Sequence, residues 1–348
     1  MNIIVTGGAG FIGSNFVRMA LSQRPEWRVI VVDALTYAGN LENLDGLEKT
    51  YSGRYRFAKA DVADSAAIEK LFEQESPSIV VHFAAESHVD RSVLGPMDFV
   101  RTNVLGTATL IDAARKSWRD KAGRFLQIST DEVYGALGDT GAFTEATPLA
   151  PSSPYSASKA SADLLALAYH KTFGLDVVIT RCCNNYGPYQ FPEKLIPFMI
   201  SRFVDGEKLP VYGNGMNVRD WIHVEDHNRG VLLAIEKGRP GEVYNLGARC
   251  ERNNIDIVRS LLKLLLTAKG KPAVDLDSHI TFVKDRPGHD WRYAIDPSKA
   301  ERELGFRPEV RFEEGLAKTV QWYLENEKWW RDVQSGAYRD YVAKVYGA

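Results

Sequence analysis

A phenol and an ammonium stand four residues apart in Tyr155-Ser156-Ala157-Ser158-Lys159. Two adjacent carboxylates interrupt the run Gln127-Ile128-Ser129-Thr130-Asp131-Glu132-Val133-Tyr134-Gly135. At i and i+4 the first pair lies side by side on one helix face. A cation beside a tyrosine favours the phenolate, so the pair can take a proton from an alcohol near neutral pH. The carboxylates follow the apolar stretch Arg124–Ile128, which reads as a buried parallel strand ending at a working surface. Two carboxyl groups in a dry site push their pKa values apart, leaving one protonated and one charged. Alone, Asp-Glu after a strand reads as a solvated turn or a helix start; the motifs around it reverse that.

Those motifs begin at the amino end. A strand, Asn2–Thr6, runs into Gly7-Gly8-Ala9-Gly10-Phe11-Ile12-Gly13 and an amphipathic Ser14–Leu21. Glycines at 7, 10 and 13 allow a tight turn and let backbone N–H groups approach a pyrophosphate at a helix start. A second strand, Arg28–Val32, ends in Asp33, roughly 20 residues past the loop, where a carboxylate binds a ribose and repels a 2′-phosphate. That favours NAD over NADP. Strands Arg54–Lys59 and Ser78–Phe83, helices Ser65–Gln74 and Thr102–Trp118, helix Tyr155–Thr172 and strand Asp176–Arg181 continue the alternation. Six strand-then-helix alternations predict an α/β fold, a doubly wound parallel Rossmann sheet.

From Cys182-Cys183-Asn184-Asn185-Tyr186-Gly187-Pro188 onward, prolines, glycines and aromatics break the periodicity. The expected organisation is an NAD-binding domain over 1–183, with 220–247 returning to it. A smaller, mixed domain, a lid over the carboxyl edge of the sheet, is expected over 184–219 and 248–348; the resemblance described below implies that it binds the nucleotide sugar. Asn254–Thr267 and Phe312–Glu325 read as helices, and Trp329-Trp330 as packing.

The chain has 348 residues, a net charge of −2 and three cysteines, two of them adjacent. Nothing advertises a nucleic-acid or anionic-membrane surface, and no Cys/His spacing suggests a metal. No basic-then-apolar leader opens the sequence and no run reaches membrane-spanning length, so a soluble, cytoplasmic protein is expected.

Tyr155-x-x-x-Lys159 behind an N-terminal Gly loop resembles the extended short-chain dehydrogenase/reductases that act on nucleotide sugars. Thr130-Asp131-Glu132 narrows the resemblance to the nucleoside-diphosphate-glucose 4,6-dehydratases, over Gly7 to about Trp330. Phe83 stands where many relatives have Leu, and Cys182-Cys183 replace other small residues; neither touches a proton-transfer role.

The resemblance implies a lyase acting on dTDP-glucose with NAD. The C4 hydroxyl is oxidised, water is eliminated across C5 and C6, and the electron pair returns to C6. It makes Tyr155 the base at the 4-hydroxyl, Lys159 its support, Thr130 a hydrogen-bond partner of the 4-oxygen, Asp131 the acid at the 6-hydroxyl and Glu132 the base at C5. Cofactor contacts would come from Gly7, Gly10, Phe11, Ile12, Gly13, Asp33, Ala34, Leu35, Thr36, Asp61, Val62, Phe83, Ala84, Ala85, Ser87, Thr102 and Asn185, besides Tyr155 and Lys159. Substrate contacts would come from Ser87, Thr130, Asn184, Glu193, Lys194, Pro210, Val211, Tyr212, Arg219, Asn254, Arg286 and His289. A homodimer through helices Thr102–Trp118 and Tyr155–Thr172 is also implied. Two alternatives stay open: a nucleotide-sugar 4-epimerase or decarboxylase on the same scaffold, and a non-catalytic NAD-binding sensor or scaffold.

Overall fold

The computed structural model describes residues 1–285 and 289–334. Seven strands pair in parallel: β1 (Asn2–Thr6), β2 (Arg28–Asp33), β3 (Tyr55–Lys59), β4 (Ile79–His82), β5 (Arg124–Thr130), β6 (Asp176–Cys182) and β10 (Val243–Leu246), in the order β10-β6-β5-β4-β1-β2-β3. The direction of winding reverses between β1 and β4, the place where open α/β sheets bind ligands beyond the carboxyl ends of their strands. Register brings those ends level: Thr6 lies opposite Val32 and His82, and Thr130 opposite Cys182.

The strands are apolar on both faces because helices cover both. Ile3 and Val5 face one core, and Ile4, Ile30, Val32 and Val80 the other. A third core belongs to a smaller lobe. There β7 (Asn184–Tyr186), β9 (Val218–His223) and β11 (Glu251–Asn253) form a three-stranded sheet, and β8 (Leu209–Tyr212) pairs with β12 (Ile280–Val283). No described helix is long and apolar enough to cross a membrane.

Two boundaries differ from the sequence reading. Residues 220–223 lie within β9 of the small sheet, so the return to the large one begins at the Val224–Lys237 helix. Tyr293, Ile295, Ala300, Leu304 and Phe306 pack into a large-sheet core, because Phe143 N–H bonds Ala294 and the Ser298–Leu304 helix lies on β10.

The expected Thr102–Trp118 helix is also divided. A six-residue π-turn, Val100–Leu105, precedes the α-helix Gly106–Ser117. The widened turn leaves Asn103 free to clasp the backbone of Glu86 on both sides, accepting from its N–H and donating to its C=O at 2.9 Å each, while also donating to Ser158 Oγ at 2.8 Å. Such bulges recur at functional sites.

Candidate active site

The long helix Pro154–Phe173 starts at a capping box. Ser153 Oγ accepts from Ser156 N–H, Ser156 Oγ accepts from Ser153 N–H, and Pro154 takes the first helical position. This fixes Tyr155 and Lys159 over the end of β5. Thr130 closes that strand and caps the short turn Asp131–Tyr134, its Oγ1 accepting from Glu132 N–H and donating to Asp131 Oδ1.

Burial drives the Asp131 carboxyl well above the usual carboxylate range. Glu132 and Asp220 add to the rise, against Arg219 and the Thr130 hydrogen bond. Asp131 is 1% exposed, and its Oδ2 has no hydrogen-bond partner among the described residues. A buried carboxyl beside a second carboxylate is held in its protonated, donating form.

Tyr155 departs from the sequence reading. Burial pushes its phenol well above the ordinary value, Glu132, Cys182 and Asp131 add to the rise, and a hydrogen bond with Thr130 opposes them. The Lys159 ammonium does not face the phenol alone: it donates to the Ile128 carbonyl at 2.7 Å. Burial pulls Lys159 downward, and Asp163 and Cys182 resist. Asp163 itself is fully buried, with its Oδ2 accepting from Ser129 Oγ and Arg181 Nε at 3.0 and 2.9 Å.

The Gly loop approaches these groups from β1. A Cβ on Gly13 would lie 2.3 Å from the Gly7 carbonyl, and one on Gly7 2.5 Å from Ala84 N, so neither position tolerates a side chain. Asp33 is 8% exposed; Oδ2 accepts from Ala9 N–H at 3.0 Å and Oδ1 from Leu35 N–H at 2.8 Å. Burial raises its pKa against those two bonds. Burial also works on Asp61, but Ala63 N–H and Arg101 hold its carboxyl below the usual range.

On the far wall, Lys194 Nζ donates to Ser87 O at 2.9 Å, tying the segment after β7 to the loop after β4. Burial lifts Glu193 to about 7, against Lys194, Arg91 and a hydrogen bond from Tyr37. Tyr37 meets Phe191 edge to face, with the Arg91 guanidinium 3.8 Å from its ring centre.

One cleft is lined by all five catalytic candidates and by Gly7, Gly10, Phe11, Ile12, Gly13, Asp33, Ala34, Thr36, Asp61, Val62, Phe83, Ala84, Ala85, Ser87, Thr102, Asn184, Asn185, Glu193 and Lys194. It fits a dinucleotide. The Asp33 carboxylate stands beside the Gly loop, whose glycines keep it open, and Asn185 Oδ1 and Asp131 Oδ2 are buried polar atoms without partners among the described residues.

The family model described as GDP-mannose 4,6 dehydratase matches residues 4–319. A dTDP-glucose 4,6-dehydratase of Xanthomonas campestris is 52% identical over 346 residues, 97% of each chain. The chain belongs to the dTDP-glucose 4,6-dehydratases. DesIV of Streptomyces venezuelae, a member solved with NAD and TYD bound, superposes with a TM-score of 0.88 at 49% identity, covering 96% of this chain and 100% of its own. A UDP-glucose 4-epimerase of Thermotoga maritima solved with UDP-glucose shares the fold at 30% identity and a TM-score of 0.84, over 94% of this chain and 100% of its own.

Some residues expected at the site do not line this cleft. Leu35 adopts a positive φ of 55° and turns its side chain against a core; only its N–H serves the site, through Asp33. Strand parity buries Val211 in the smaller lobe with Leu209, leaving Pro210 and Tyr212 on the other face. Pro210, Tyr212, Arg219, Asn254 and His289 are absent from the cleft lining described above. Tyr212 packs 6.1 Å from His289, which bonds Asp285 at 2.6 Å. Asn254 opens the Asn254–Ala268 helix, its N–H bonded to Asn217 O. Arg286 lies outside the described residues. Arg219 is buried, donates to the carbonyls of Val218 and Asp290, and lies 4.3 Å from the Tyr293 ring centre.

Tyr293 was missed by sequence reasoning. Burial and Glu132 push its phenol upward, and it donates to Asp290. It sits in no motif; only the fold brings it to the carboxylates. His88 is the N-cap of the Val89–Leu94 helix.

Proposed function

We propose that this chain dehydrates dTDP-glucose to dTDP-4-keto-6-deoxyglucose. NAD, when bound, supplies the acceptor that makes the C4 alcohol oxidisable, returns the electron pair at C6, and in its oxidised form brings a positive ring charge into the cleft. Gly7, Gly10, Gly13 and Asp33 would hold it, with Lys159 and Asn185 at the reacting end. Tyr155 accepts the 4-hydroxyl proton. Burial and its carboxylate neighbours raise its phenol, and the hydrogen bond with Thr130 opposes that rise. Thr130, hydrogen-bonded to Tyr155, steadies the 4-oxygen. Once C4 is a ketone, the C5 proton is acidic. Glu132 removes it while Asp131 gives its proton to the departing 6-hydroxyl, and water leaves; Glu132 then returns its proton to C5.

One observation carries this reading: Asp131 is a buried acid with a free oxygen, set next to a second carboxylate at the end of β5. An epimerase has no use for that pair. Incubation with dTDP-glucose should yield a product that absorbs near-ultraviolet light in alkali. An epimerised hexose would not absorb, and its appearance would overturn the reading. Assays with dTDP-, UDP-, GDP- and CDP-glucose side by side test the base preference.

The remaining assignments are of the same kind. Glu193, Lys194, Asn184 and Ser87 would bind the hexose, and Pro210, Tyr212, Arg219, Asn254 and His289 the nucleotide. The NAD half is the large-sheet lobe and the sugar-nucleotide half the smaller one. A cytoplasmic homodimer would pair the Gly106–Ser117 and Pro154–Phe173 helices. Leu105, Leu164 and Phe173 are large apolar side chains left exposed on or beside them, and sedimentation as a monomer at micromolar concentration would refute that pairing.

A further inference from the structure

The Gly loop is tied to the far end of the chain by a relay of buried hydrogen bonds. Trp329, in the Glu327–Val333 helix, donates its indole N–H to Asn43 Oδ1 at 2.9 Å, across 286 residues of sequence. The Asn43 amide donates in turn to the Ala9 carbonyl at 2.8 Å, inside the Gly loop. The Ala9 N–H is the donor that holds Asp33 Oδ2. Asn43 is 2% exposed and Trp329 9% exposed, so neither bond competes with bulk water.

The surroundings fix both ends. Trp329 packs edge to face on Tyr189, Trp322 and Tyr323, with ring centres 5.9, 5.1 and 6.3 Å away. Arg18, on the Phe11–Gln23 helix that follows the Gly loop, lies 5.3 Å from the Tyr189 ring centre and donates to the Asn43 carbonyl. Asn15 on the same helix donates to Pro188 O at 3.0 Å.

We propose that Trp329 and Asn43 are positioning residues for NAD. They anchor Ala9 from its carbonyl side while its N–H, in the preceding peptide, binds Asp33, and so couple docking of the Glu327–Val333 helix to cofactor retention. The proposal rests on NAD occupying this cleft. Asn40 N–H also donates to the Ala9 carbonyl, at 3.0 Å, so a misplaced Asn43 amide loosens the Ala9 segment rather than freeing it, and the Ala9 N–H then holds the Asp33 carboxylate less firmly.

The test is exchange of labelled NAD out of the holoenzyme against excess unlabelled NAD. Trp329→Phe keeps the aromatic packing and removes only the N–H. It should speed exchange about fivefold, the net worth of one buried hydrogen bond, while kcat at saturating NAD stays unchanged. Asn43→Leu should speed exchange at least as much, and the double variant no more than Asn43→Leu alone, because both act through one relay. Trp330→Phe is the control: its indole bonds Tyr323 O within the small lobe, so it should lower Tm without altering exchange. Unchanged exchange in Trp329→Phe, multiplying effects in the double variant, or equal acceleration by Trp330→Phe would each overturn the coupling. Failure of the unmodified holoenzyme to retain label would overturn the cofactor reading and the coupling with it.

Discussion

The two halves of the cleft are built in different ways. The half proposed for the cofactor is main chain: a Gly loop, strand ends in register, and backbone N–H groups gripping Asp33. The half proposed for the sugar is side chains sent in from separate segments, with Lys194 reaching Ser87 and Tyr37 reaching Glu193. Backbone on parallel strands cannot move without unfolding the sheet, whereas a side-chain strap can open for each turnover. The proposed catalytic floor, Thr130 to Glu132 with Tyr155, belongs structurally to the first kind and chemically to the second.

Changes to that floor should abolish chemistry and leave binding. Tyr155→Phe is expected to lower kcat by about 10²–10⁴-fold, as general-base removal does, with little change in dTDP affinity. Asp131→Asn with Glu132→Gln should still show slow absorbance from reduced cofactor but no 4-keto-6-deoxy product; full turnover would remove both carboxylates from their roles.

Next in size is the support beneath the floor. Asp163→Asn leaves Arg181, 3% exposed, without its buried counter-charge and should cost about 3–5 kcal/mol of stability in urea titration. In the strap the expected effect moves from kcat to KM. Lys194→Ala should raise KM for the sugar nucleotide about tenfold to a hundredfold, the worth of one charged hydrogen bond. Because burial lifts Glu193 to about 7, kcat/KM should carry an ionisation near neutrality that Glu193→Gln removes. A profile unaffected by that change would show the strap to be electrostatically silent.

The smallest effect runs the other way. Burial raises the Asp131 pKa in the folded chain. Stability from that proton is therefore complete below the unfolded value of about 3.9 and lost as pH rises toward the folded value. Asp131→Asn should be more stable than the parent near pH 7, with the gain vanishing near pH 4. A gain independent of pH would mean that the carboxyl is not held neutral by its site.

How much of this could be read from sequence follows the same division. The Gly loop, Asp33 and the Tyr155/Lys159 spacing are local patterns, and the local backbone decides where they go. The π-turn at Val100–Leu105 has no such signature, since one extra residue in a turn leaves the apolar spacing nearly intact. Val211 reads as a contact until strand parity turns it inward. Tyr155 fails differently: its partner at i+4 is right, but the Ile128 carbonyl that takes up the ammonium comes from β5. Trp329 reads as packing because nothing near it in sequence mentions Asn43.

The edge strand β10 comes from residues 243–246, after a long excursion through the other lobe. A nascent chain that has left the ribosome only as far as β6 therefore carries six strands of a parallel sheet with an open flank, a template for pairing with its neighbours. Synthesis has to continue for some sixty residues more before the Val243–Leu246 strand can seal that flank. The interval sets a window in which that flank of the sheet lies open to pairing with other chains.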